Sequence, residues 1–181
     1  MTEETEPLSY SHAVSWINGL INRGNYDQAE ISLIDFQNGK HTPSASIWGL
    51  ISKLSRLQGN SEKAKTAAEK HIELAPEDVV GYGLLAQAEM GLGNYAAAKK
   101  NAQQAIAIDD QNVGSYVQLA HAAISLGHCV EAKEAAKRAI FLNKKNDVSD
   151  YQKATGYILL AQAEIGMGHY RQAKICAQQA I

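Results

Sequence analysis

Six histidines and two cysteines are the residues in this 181-residue sequence best suited to hold a metal or attack a substrate. His12, His41, His71, His121, His128 and His169 are scattered, and none stands at a spacing typical of a zinc site. Cys129 and Cys176 show neither CxxC spacing nor a disulfide framework, so both read as free thiols. Gly-x-Gly phrases such as Gly91-Leu92-Gly93 fall where a helix closes, whereas a phosphate-binding loop opens one on its free N–H groups. No GxSxG, HExxH or P-loop pattern appears. The sequence therefore points away from catalysis in this chain and implies no cofactor and no metal.

Charge and hydropathy narrow the partners. The net charge is −2, without the basic stripe that neutralises phosphates. The densest basic stretch, Lys133, Lys137, Arg138, Lys144 and Lys145, is interrupted by Glu131 and Glu134 and reads as a solvated helix face. No apolar run approaches the roughly 20 residues that cross a bilayer. The acidic start, Met-Thr-Glu-Glu-Thr-Glu-Pro, lacks the basic segment and apolar run of a signal peptide. These features predict no nucleic-acid partner, no membrane insertion and a cytoplasmic setting.

The elements that would position any functional residue follow from a repeat. The phrase Gly, polar, aromatic or small, two residues, Ala occurs at Gly24 with Ala29, Gly59 with Ala64, Gly93 with Ala98, Gly127 with Ala132, and Gly168 with Ala173. The glycines are spaced by 35, 34, 34 and 41 residues. Residues 81–106 nearly repeat at 156–181, where "GYGLLAQAEMGLGNY" becomes "GYILLAQAEIGMGHY". Either side of each glycine the spacing is helical: Tyr82, Leu85, Ala86 and Glu89 before Gly93, then Tyr95, Ala98, Ala102, Ala105 and Ile106 after it. Each period thus holds two helices, with glycine free to take the left-handed conformation that ends the first. Ala86, Ala98 and Ala105 suit close helix approach.

Helix starts agree with this register. Asp78 and Asn112 precede first helices and are expected to cap them. Thr42-Pro43 offers a cap followed by proline in the first turn. In the 41-residue step, Ser149 with Gln152 forms a capping-box pattern, so the extra residues are expected to lengthen the last first-helix at its N-terminal end, with an ordinary loop insertion as the alternative.

This pattern resembles the tetratricopeptide repeat family, whose period is about 34 residues. The resemblance rests on Trp48, Ile51, Ser52, Gly59, Ala64, Ala68 and Pro76 in the second repeat. Tyr82, Leu85, Ala86, Gly93, Tyr95, Ala98, Ala102 and Ala105 carry it in the third. Tyr116, Leu119, Ala120, Gly127, Ala132, Ala136 and Ala139 carry the fourth, and Tyr157, Leu160, Ala161, Gly168, Tyr170, Ala173, Ala177 and Ala180 the fifth. The first repeat departs most, with Ala13 at the aromatic position and Trp16 where Leu is usual. The resemblance implies an all-α, right-handed superhelical solenoid of antiparallel helix pairs, about five repeats near 10–43, 45–78, 79–112, 113–146 and 149–181. The array would span 8–181 after a disordered acidic tail, 1–7.

What the resemblance implies for function is a scaffold or adaptor that binds a peptide or helical segment of a partner in a concave groove lined by the first helices. Register places candidate groove residues in three rows. Asn18, Lys53, Gln87, His121 and Gln162 form a polar row able to bond a peptide backbone. Ile21, Arg56, Met90, Ile124 and Ile165 form a second row. Val14, Val117 and Ile158, with Gly49 and Gly83, form a third. Apolar side chains grouped there would take those of the ligand, with little dependence on salt.

Relatives of this kind clamp heat-shock chaperone C-termini with lysine, arginine and asparagine. The matching positions here are Gly49, Lys53, Leu84, Gly114 and Gln118, with Lys53 the only cation, so that clamp is not expected. An alternative function is the substrate-recruiting or regulatory repeat domain of a larger enzyme of glycosyltransferase, sulfotransferase or hydroxylase type, which the end at Ile181, before the last repeat completes its turn, favours. A self-assembling scaffold is another: Ala173, Cys176, Ala177, Ala180 and Ile181 give the last helix an apolar face, so its end is a candidate homo-oligomer surface.

Overall fold

The computed structural model describes residues 10–38, 44–146 and 150–181. Ten helices carry them: α1 Tyr10–Asn22, α2 Tyr26–Asn38, α3 Ala45–Leu57, α4 Ser61–Leu74, α5 Val79–Gly91, α6 Tyr95–Ile108, α7 Val113–Ser125, α8 Cys129–Asn146, α9 Asp150–Gly166 and α10 Tyr170–Gln178. No strand occurs among the described residues. They form five antiparallel pairs, repeats 1 to 5, and each helix packs on the next along the chain.

Curvature follows from which helices touch across repeats. The first helices meet in the series α1–α3, α3–α5, α5–α7 and α7–α9, whereas the second helices make no such contacts with one another among the described residues. The solenoid is therefore tighter on the first-helix side, which is its concave side.

Every pair turns in the same way. Gly24, Gly59, Gly93, Gly127 and Gly168 all have φ between 75° and 80°. In each turn the glycine N–H bonds back three residues and the next N–H bonds back five, as in Gly93 N–H to Met90 O (3.1 Å) and Asn94 N–H to Glu89 O (2.9 Å). These bonds satisfy carbonyls that the helix end would leave open. Asp78 accepts from Val80 N–H and Asn112 from Ser115 N–H, both at 2.9 Å, as expected of caps. Thr42, Pro43 and Ser149 lie outside the described residues, as does the tail 1–7.

The 41-residue step is divided differently from the expectation. α8 has 18 residues and α9 has 17, against 14 in α4 and α6 and 13 in α5 and α7. The end of α8 and the start of α9 each gain about one turn. Both added turns keep their backbone bonds within a helix, which an irregular insertion would leave to water.

Interiors differ along the array. Repeats 1 and 2 bury Ile17, Leu20, Ile21, Leu33, Ile47, Leu50, Ile51 and Leu54 in one cluster. In repeats 3 to 5 the fully buried positions are mostly alanine, including Ala86, Ala98, Ala102, Ala105, Ala120 and Ala132. Ion pairs tie each of these repeats to the one before it. Buried Glu89 accepts from Lys65 (2.9 Å), Glu131 from Lys99, and buried Glu164 from Lys133 (2.8 Å). The bonds hold Lys65 and Lys133 above the usual lysine range. The Lys133 bond likewise holds the Glu164 carboxyl low, outweighing burial, with His169 reinforcing it.

Candidate functional site

Three clefts run along the concave face. The first, about 360 Å³, lies over α1, α3 and α5 and includes Val14, Asn18, Lys53, His71, Asp78 and Leu84. A second of about 520 Å³ lies between α5, α7 and α9, against Val80, Leu84, Asp109, Asn112 and Gln118. The third and largest, about 710 Å³, is bounded by Arg56, Gln87, Met90, Val117, Gln118 and His121, with Tyr151, Gln152 and Thr155 on its far side.

In the first cleft the polar side chains bond one another, apart from His71 Nδ1, which is buried without a partner among the described residues. Lys53 Nζ donates to Asn18 Oδ1 at 2.9 Å and to Asn22 Oδ1 at 2.6 Å. Burial, then the Arg56 charge, pushes the Lys53 ammonium below the usual lysine range. Beneath it, the buried His71 imidazole bonds Asp78 Oδ2 through Nε2 at 2.9 Å. A β-carbon added at Gly49 would stand 2.9 Å from His71 Nδ1, and one at Gly81 would stand 2.8 Å from His71 Cδ2. Both glycines are needed because the ring fills the space between α3 and α5.

The third cleft leaves its polar groups open. Arg56 Nε and Gln118 Oε1 are buried without a hydrogen-bond partner among the described residues. Among the described residues no carboxylate lines the cleft, and Arg56 carries its permanent charge. Gln118 lies over Gly83, where an added β-carbon would make only ordinary contact at 3.4 Å. Tyr151, 81% exposed, stands on the turn that lengthens α9 and forms a wall that the shorter first helices lack.

The structure brings Val14, Asn18 and Lys53 to the first cleft, and Arg56, Gln87, Met90, Val117 and His121 to the third. Ile21 does not belong to the groove: it is 2% exposed in the repeat 1–2 core. In this first repeat, bulky side chains fill what alanine fills elsewhere, and its register turns inward. Ile124 is half-buried against the α7–α9 core rather than free. Ile158, Gln162 and Ile165 are exposed on α9 but line none of these clefts, and no described helix packs on that side of α9. Sequence reasoning met Gln118 only as a clamp position and missed Tyr151, Gln152 and Thr155. The 41-residue step signalled the added turn, but not that it would overhang the groove.

Comparisons with known proteins agree with this geometry. The family model described as tetratricopeptide repeat matches residues 45–78 and 80–112. A search of curated proteins found no sequence match. Among solved structures, TTC0263, a thermophilic TPR protein of Thermus thermophilus, is similar at TM-score 0.75 and 17% identity, covering 94% of this chain and 89% of that one. A crystal structure of MamA is similar at TM-score 0.71 and 19% identity, covering 91% of each chain. The TPR2B domain of yeast Sti1, in a structure titled as its pHsp70 complex, matches at TM-score 0.63 and 25% identity, covering 67% of this chain and 96% of that one. Among the described residues no helix is long and apolar enough to cross a membrane, and no group of three His, Cys, Asp or Glu could hold a metal ion.

Proposed function

Because the chain is a tetratricopeptide-repeat solenoid, a fold that generally serves protein interaction rather than catalysis, we propose that it is an adaptor holding a peptide segment of a partner in the concave groove. The observation that carries this reading is the third cleft: a long concavity with unpaired amide and guanidinium groups, apolar floor residues and an overhanging tyrosine. Gln87 and Gln118 bond the peptide backbone, whose groups need partners once water is displaced. Met90 and Val117 take an apolar side chain beneath Tyr151. Arg56 takes a carboxylate of the ligand, since no acidic neighbour among the described residues of the cleft competes for it.

This reading departs from a groove driven by apolar burial alone. Ile21 is committed to packing and Ile124 lines none of the clefts, so polar contacts carry more of the recognition, and binding weakens with salt in proportion to the Arg56 contact. Lys53, the only cation at the chaperone-clamp positions, is already held by Asn18 and Asn22. That supports a ligand other than a chaperone C-terminal carboxylate bound by the usual clamp.

Selection of displayed random peptides against the intact chain tests the proposal. Enriched peptides are expected to share an acidic residue beside an apolar one. Their affinity is expected to fall about tenfold with Arg56→Glu and to be unchanged by Lys100→Glu on the exposed side of α6. Peptides indifferent to Arg56→Glu and to Tyr151→Ala, but lost on changing exposed second-helix residues, would place the function on the convex side. Lys99 is unsuitable as a neutral control, because it bonds Glu131 between repeats.

A further inference from the structure

The second and third clefts form one valley. They share Gln87, Gly114, Gln118 and Gln152 as lining residues, whereas the first cleft shares none with the third. The second lies against the N-terminal half of α5 and the third against its C-terminal half, so the combined lining runs along α5 from Val79 to Gly91. At about 1.5 Å per residue this is a length of about 18 Å, which an extended peptide covers in about five residues.

The two ends of the valley carry opposite charge. Arg56 supplies the positive end in the third cleft. Among the described residues, Asp109 is the one charged side chain that lines the second cleft. Its Oδ1 accepts from the Gln111 N–H at 2.9 Å, which leaves acceptor capacity on the carboxylate. Exposed Asp110 follows it in the chain and adds negative charge there, its Oδ1 accepting from Gln111 Nε2 at 2.7 Å. Lys145 donates to Gln111 Oε1 at 3.3 Å and is not part of the lining. The apolar part of the lining is Val79, Val80, Leu84 and Val113. Gly114 holds the place in α7 that Val80 holds in α5, so no side chain from it fills the cleft. A carboxylate beside apolar walls suits lysine or arginine, whose methylene stem packs on carbon while the charged head stays at the polar edge.

We propose that the second cleft takes a lysine or arginine side chain of the same peptide segment whose acidic residue meets Arg56, an assignment that rests on the third cleft being the peptide site. The ligand class is then a bipolar segment, acidic at one end and basic at the other, with the two charges about five positions apart. Gln87 and Gln118, at the junction of the clefts, bond the backbone between them. A segment acidic at both ends brings a like charge to Asp109, and one basic at both ends brings a like charge to Arg56, so both are disfavoured.

The test uses displayed random peptides selected on the intact chain, with the enriched sequences then measured as free peptides. These are expected to carry Lys or Arg about five positions from an acidic residue. Asp109→Asn removes the charge and keeps an oxygen that accepts from the Gln111 N–H, so the turn is retained. It is expected to weaken these peptides about fivefold. Replacing the peptide's basic residue with Met is expected to cost about the same on the parent chain and nothing further on the Asp109→Asn variant. Peptides lost with Arg56→Glu but indifferent to Asp109→Asn and to their own basic residue overturn the proposal and leave the adaptor reading standing. A loss with Asp109→Asn that is equal for peptides with and without the basic residue reports a disturbed turn, and overturns it too. Peptides that need Asp109 but ignore Arg56→Glu overturn both the bipolar ligand and the reading of the third cleft, as does a selection that enriches none.

Discussion

Repeats 1–2 and repeats 3–5 share one architecture but are held together by different interactions. The first region fills its interior with isoleucine and leucine, each contributing about 1.5–3 kcal/mol on full burial. The second uses alanine columns, which bury less area but let helix backbones approach closely. Its ion pairs to the preceding repeat use buried carboxylates, Glu89 and Glu164, at the position that repeat 1 fills with Leu20, whereas the Glu30–Lys63 pair between repeats 1 and 2 is exposed. The concave face divides within repeat 2. Lys53 is bonded by Asn18 and Asn22 of repeat 1, while Arg56, one turn further along α3, and Gln118 of repeat 4 keep unpaired atoms around a larger cleft.

The largest expected effect breaks the alanine packing. Ala98 is 0% exposed, so Ala98→Glu adds both volume and an unpaired charge and is expected to cost more than about 3 kcal/mol. Urea unfolding would show it as a lower midpoint. An unchanged midpoint would mean that repeats 3–5 are not held by close approach. Gly93→Ala is expected to cost about 1 kcal/mol, because a φ of 77° strains any residue with a β-carbon. A loss within error by the same measurement would contradict the turn geometry.

A paired substitution sharpens the contrast between the two ends of the groove. Alanine in a helix is favoured over glycine by about 0.5–1 kcal/mol. Gly83→Ala meets only ordinary contacts and is expected to stabilise by about that amount. Gly49→Ala must displace the His71 ring from its bond to Asp78 and is expected to destabilise despite the same helix gain. Equal changes in Tm for the two variants would remove the distinction between a closed and an open cleft.

The smallest expected effect concerns pH. Glu164 has a lowered folded-state value, so its contribution is complete above the unfolded carboxylate value of about 4.5 and is lost as pH falls through the folded value. Glu164→Gln is therefore expected to lower stability at neutral pH and to flatten the acid side of the pH–stability curve. A curve that keeps the parent's slope below pH about 4.5 would assign the acid sensitivity to other carboxylates.

Much of the fold was legible because it is local and repeated. A glycine that must take positive φ, alanines at helical spacing and the caps at Asp78 and Asn112 each specify nearby backbone, and five copies in register make the reading redundant. The groove was harder. Register alone identified the cleft residues Asn18, Lys53, Arg56, Gln87, Met90, Val117 and His121. It could not tell that Ile21 turns inward or that Ile124 is committed to packing, because half a turn of a helix separates core from surface and neighbouring helices decide where that boundary falls.

The sequence by itself determined the period, the helix pairs and their turns, since these depend on backbone preferences and on contacts within one or two turns. Only the tertiary structure decided which polar groups remain free. Lys53 and Gln118 look alike as isolated polar residues on first helices. Lys53 is bonded by two asparagines from the neighbouring α1, while Gln118 lies over a glycine with its oxygen unpaired. The added turn of α9 likewise acquires its place over the cleft from the packing of α9 on α7, an arrangement set by the summed rotation of the preceding repeats rather than by any residue within the turn.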